Sequence, residues 1–98
     1  MIGIDQAAIA RFNGKHDVTE DQQFKALVEE VGELSEALYT DGTDEQVAEE
    51  IADVLFVCRS LAELRDIDIG KRLNTVIEEN IQKDESRNGE KVTKQGLR

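Results

Sequence analysis

The 98-residue chain has no proline and no tryptophan, one cysteine, one histidine and only 4% aromatic residues. Without proline no helix is forced to kink or stop, and apolar residues recur three and four apart through most of the chain. Helices are therefore expected over strands. The lone Cys58 excludes an intrachain disulfide, and its place inside the apolar run "VLFVC" marks a buried structural thiol. The lone His16 falls in a predicted loop, so the Glu-x-x-His repeats of a di-iron bundle are missing, and His16 is read as a surface residue. Basic residues are scarce as well: 12 Lys and Arg stand against 22 Asp and Glu, a formal charge of -10. That balance opposes binding to a nucleic-acid backbone or an anionic membrane surface. No apolar run approaches the roughly 20 residues of a membrane span, and "MIGIDQAAIARF" lacks a basic start followed by an apolar core, so a soluble cytoplasmic protein is expected.

What is present organises into four helices in one all-α domain spanning residues 1–86, followed by a polar tail over 87–98. A short first helix is expected over 4–12, ended by the Asn13-Gly14 turn signal in "NGKHD". The second runs from near Thr19, where Thr19 and Gln22 fit a capping box, to about Tyr39. After "TDGTD", Thr43 and Gln46 offer a second capping box for a third helix over about 44–65, and the short connection predicts an antiparallel hairpin. "IADVLFVCRSLAEL" makes helix three apolar around most of its circumference, and "GKRLNTVIEENIQK" forms a fourth helix after the "DIDIG" turn. The expected fold is an antiparallel four-helix bundle-like arrangement. One chain offers too little surface to cover helix three, so a homodimer or dimer of dimers is expected to complete it.

The acidic residues carry the chemistry. On helix two, Glu30 and Glu33 lie about 60° apart, with Glu29 about 40° to the other side of Glu33. The apolar arc of Phe24, Leu27, Val28, Val31, Leu34 and Leu38 points roughly the opposite way, as in any amphipathic helix. Helix three is different: Glu50 and Asp53, also about 60° apart, lie along the same side as Val57, Leu61 and Leu64. Carboxylates drawn into a bundle wall without a counter-charge cost on the order of several kcal/mol or take up protons, and a bound cation relieves both penalties. In an antiparallel hairpin Glu30 and Glu33 face Glu50 and Asp53. All-carboxylate coordination suits Mg²⁺ or Mn²⁺.

The pattern EExxE, sixteen residues, then ExxD, carried by "EEVGELSEAL" and "EEIADVLFVC", resembles the MazG-like branch of the all-α nucleoside triphosphate pyrophosphatases over about residues 20–70. The resemblance implies Mg²⁺-dependent hydrolysis of a nucleoside triphosphate to monophosphate and pyrophosphate by a helical oligomer, in nucleotide-pool house-cleaning. Carried over by position, Glu30, Glu33, Glu50 and Asp53 are the metal ligands. Glu29, and less directly Glu49, are candidates for orienting water. Family members carry a basic residue and an asparagine late in helix four; Asn80, Lys83 and Arg87 are the nearest counterparts here. Val76 stands where a basic residue is often found, and Glu78 and Glu79 follow it, a departure that puts the phosphate contacts in doubt. Lys25, one turn before Glu29, pairs with that glutamate or reaches a phosphate, the ion pair being the default reading. Phe12, Phe24 and Tyr39 are candidates to stack on a base, with Phe24 placed on the apolar arc. Two competing readings are a phosphoribosyl-ATP pyrophosphohydrolase, whose "GSYT"-like segment is absent, and a catalytically silent helical module for nucleotide sensing or dimerisation.

Overall fold

A computed structural model describes residues 6–86; the expected start of helix one at residue 4, Arg87 and the tail over 87–98 lie outside the described residues. The described residues form four α-helices, α1 (Gln6–Lys15), α2 (Glu20–Tyr39), α3 (Asp44–Leu64) and α4 (Ile69–Ser86), with no strand among them. They fall into two compact units, one ending at Ile67 and carrying α1 to α3, the other beginning at Asp68 and carrying α4. None of the described helices is long and apolar enough to cross a membrane.

Both long helices begin where their side chains satisfy the free backbone amides. Thr19 accepts from the Gln22 amide at 3.2 Å while the Gln22 side chain accepts from the Thr19 amide at 3.1 Å. Thr43 and Gln46 repeat the exchange at 3.1 and 2.8 Å. Each capping box is worth about 1 kcal/mol to its helix. At α4, Asp68 Oδ1 accepts from the Lys71 amide at 3.1 Å.

The helix ends follow one plan. Asp17, Asp41 and Asp66 have φ of 49°, 61° and 54°, the left-handed conformation that glycine most often supplies after a helix. The next residue in each case folds its amide back five residues: Val18 to the Asn13 carbonyl, Gly42 to that of Ala37 and Ile67 to that of Ala62, at 3.0, 2.9 and 2.9 Å. A Cβ on Gly42 would sit 2.5 Å from the Ala37 carbonyl oxygen, so the α2–α3 turn needs glycine for this close approach.

One expectation is corrected. Helix one does not stop before Asn13-Gly14 but runs through both to Lys15, because the Asn13 side chain finds partners on α3 instead of turning the chain. The fourth helix runs through Ser86.

Helix α3 is the centre of the first unit. The Phe12 ring meets Phe56 edge-on at 5.0 Å, Arg59 donates to Gln6, and α2 lies antiparallel along α3. At the open end of that hairpin Arg65 grips both carboxylate oxygens of Glu20 through Nε and Nη2, the second contact at 3.0 Å. The fully packed apolar core among described residues is small: Ile9, Val57 and Ala62. Phe24, Val28, Val31 and Leu38 of α2 and Ile51, Leu55 and Phe56 of α3 stay exposed, and Cys58 is half-buried.

Candidate metal centre

The two acidic motifs meet because α2 and α3 run antiparallel. Glu30 from α2 and Glu50 and Asp53 from α3 each offer an oxygen, all within 4.8 Å of one another. Glu30 and Glu50 are half-buried and Asp53 is exposed. Glu33 is exposed and lies outside that trio, but its charge bears on both Glu30 and Glu50.

The Glu30 carboxyl is strongly perturbed. Burial, then the negative charges of Glu33 and Asp53, then hydrogen bonds that a protonated Glu30 makes with those two, push it up from 4.5 to about 7. Glu50 is raised as well, by burial first and then by Glu33, Asp53, Glu49 and Glu36. Glu30 Oε2 is buried and no donor reaches it. A buried carboxylate oxygen without a donor must take up a proton or meet a cation. The donor set is oxygen throughout, which fits a hard divalent ion.

Beyond the trio, toward the α2–α3 turn, opens a cavity of about 320 Å³. It is lined by Glu33, Glu36 and Ala37 of α2, the Thr40–Gly42 turn, and Gln46, Glu49 and Glu50 of α3. Gln46 and Glu36 were not legible as lining: one reads as a capping residue, the other as a surface charge. Their signal was positional, since Glu36 lies one turn beyond Glu33 and Gln46 one turn before Glu50.

The remaining candidates are not members of the trio. Glu29 is exposed on α2. Lys25 pairs not with Glu29 but with Asp21, one turn earlier on α2, at 3.1 Å, both largely in solvent. Asn80 Nδ2 donates to the Val76 carbonyl at 3.0 Å within α4. Lys83, in the last turn of α4, is exposed and borders a shallow hollow with Glu79, Gln82 and Ser86. Asn80 and Lys83 belong to the second unit.

No curated protein matches the chain, and no solved structure does. The sequence model of the MazG nucleotide pyrophosphohydrolase domain matches residues 18–91, a span that includes the whole α2–α3 hairpin and α4. The chain therefore belongs to the MazG nucleotide pyrophosphohydrolase family.

Proposed function

We propose that this chain is a Mg²⁺-dependent nucleoside triphosphate pyrophosphohydrolase. Its substrate is an NTP or dNTP, its products the monophosphate and pyrophosphate, and its role cytoplasmic nucleotide-pool house-cleaning. The observation that carries the reading is the facing trio of Glu30, Glu50 and Asp53 with a donorless buried oxygen, in a chain of this family.

Glu30, Glu50 and Asp53 hold the cation, and Glu33, whose charge already bears on two of them, completes the set. When bound, Mg²⁺ (or Mn²⁺) neutralises triphosphate charge, stabilises charge on the leaving pyrophosphate and acidifies water. Glu29, exposed beside the cluster in sequence, orients the attacking water and accepts its proton. The water oxygen bonds to the α phosphorus, the bond from that phosphorus to the bridging oxygen breaks, and pyrophosphate leaves. Glu36 and Glu49 line the adjoining cavity and repel an uncomplexed triphosphate, which favours the magnesium complex as the form that enters. Asn80, Lys83 and Lys25 are the candidate substrate contacts. The exposed apolar residues of α2 and α3 support a homodimer or dimer of dimers.

The test is a panel of nucleoside triphosphates incubated with protein and Mg²⁺ in ¹⁸O-labelled water. Label in the monophosphate with release of pyrophosphate is the expected result. Failure to release pyrophosphate from any member overturns the enzyme reading. A melting temperature that still rises with Mg²⁺ would then leave a metal-binding module without turnover.

A further inference from the structure

Three helices meet at Ser60, whose side chain is fully buried. Gln23 Nε2 on α2 donates to Ser60 Oγ at 2.8 Å, and Ser60 Oγ donates onward to Asn13 Oδ1 on α1 at 2.6 Å. Asn13 Nδ2 donates to the Ser60 carbonyl at 3.1 Å and to Glu63 Oε1 at 2.9 Å. Asn13 and Gln23 are 4% and 8% exposed, so the chain is sealed from solvent and from any substrate. None of its members is a carboxylate of the proposed cation site. A buried polar group loses more when its partner leaves than it gains when the partner is present, so the network penalises every arrangement of these helices but one.

Its position gives that penalty a use. Gln23 lies seven residues before Glu30 on α2, and Ser60 seven residues after Asp53 on α3. Seven residues are two turns, about 10.5 Å along the axis and within about 20° of the same meridian. Gln23 opposite Ser60, Glu30 opposite Asp53 and Glu33 opposite Glu50 are thus three rungs of a single antiparallel register. A one-turn slip that sets Ser60 against Leu27 also sets Asp53 against Leu34, so it orphans the buried polar groups and dismantles the acidic trio together. Without a cation the facing carboxylates push against the register they require. The hairpin is tied on both sides of them, by the tight turn at Gly42 and by the Gln23–Ser60 bond.

We propose that the Gln23–Ser60–Asn13 chain is a register lock, and that Gln23 and Ser60 are positioning residues holding Glu30 and Glu33 opposite Asp53 and Glu50. The consequence for metal rests on the cation site proposed above.

The test is the double variant Gln23→Leu/Ser60→Ala, which removes both ends of the central hydrogen bond and leaves an apolar pair. Mn²⁺ is the probe, titrated by its electron paramagnetic resonance signal, and cross-helix nuclear Overhauser contacts are read on the metal-free protein. The expected result is unchanged helical content, at least a tenfold rise in the Mn²⁺ dissociation constant, and contacts between α2 and α3 from more than one register. Thr19→Ala, which removes only a cap, should lower the melting temperature and leave Mn²⁺ affinity as it was. Wild-type affinity with one register in the double variant overturns the proposal. Should the double variant fail to fold, Gln23→Asn keeps the amide and shortens its reach. A threefold or greater loss of affinity supports the lock, and no change overturns it. If the wild-type chain binds no Mn²⁺, the cation site falls instead, and the cross-helix contacts alone decide the lock.

Discussion

Glu30 and Asp53 lie on facing helices with oxygens within 4.8 Å of each other, and the Glu30 oxygen Oε2 meets no donor. In metal-free protein that relationship is repulsive, and together with burial, the larger cause, and the charge of Glu33 it makes the folded state prefer a protonated Glu30.

A pH dependence follows with a definite sign. Glu30 binds its proton more tightly when folded, at about 7 against 4.5, so its contribution to stability is full below about 4.5 and is lost as pH rises through about 7. Glu20, lowered chiefly by its hydrogen bonds with Arg65, works the other way and at lower pH, its contribution fading as pH falls through its depressed value. The melting temperature of chelator-treated protein should therefore decline between about pH 4.5 and 7.5. Mg²⁺ should reverse the decline, with an effect that grows with pH. Calorimetric scans across this range check both, and a stability flat with pH in chelator contradicts the Glu30 assignment.

Charge removal separates binding from folding. Glu30→Gln keeps the size of the side chain and removes the unfavourable charge, so at pH 8 the metal-free variant should melt higher than wild type while pyrophosphate release falls at least a hundredfold. Glu50→Gln should lose activity to a similar degree with its helical signal intact. Circular dichroism melts and a coupled pyrophosphate assay report the two effects; full turnover in both variants removes these residues from the site.

Gly42→Ala should destabilise the hairpin by about 1–3 kcal/mol, because the new methyl meets a backbone oxygen that cannot rotate away. Denaturant unfolding measures it. The same variant should weaken Mg²⁺-dependent activity, since the turn lines the same cavity as Glu33 and Glu50.

Asp66→Gly should raise stability by a few tenths to about 1 kcal/mol, since glycine adopts the left-handed conformation without the strain of a Cβ. A lower midpoint in urea would show instead that the aspartate side chain supports this corner.

The sequence disclosed what is local. The Thr19–Gln22 and Thr43–Gln46 capping boxes span three residues each, so the starts of α2 and α3 could be read directly, and the helical period placed the acidic pairs on matching faces. The end of α1 was hidden because the partners of Asn13 are 47 and 50 residues away on α3, and no local signal distinguishes an asparagine that turns the chain from one that ties two helices. Ser60 was hidden likewise, a small polar residue inside an apolar run whose partner Gln23 lies 37 residues earlier. Glu33 shows the limit of a helical wheel, which gives an angle but not whether a flexible side chain turns toward its neighbours.

The aspartates at the helix corners have a wider consequence. Asp17, Asp41 and Asp66 each add a negative charge beside the negative end of a helix dipole, where most proteins place glycine or a basic residue. Glycine would leave these corners to backbone geometry alone. With aspartate each corner also carries a like-charge repulsion that dissolved salt screens, so these three turns should hold more firmly as ionic strength rises.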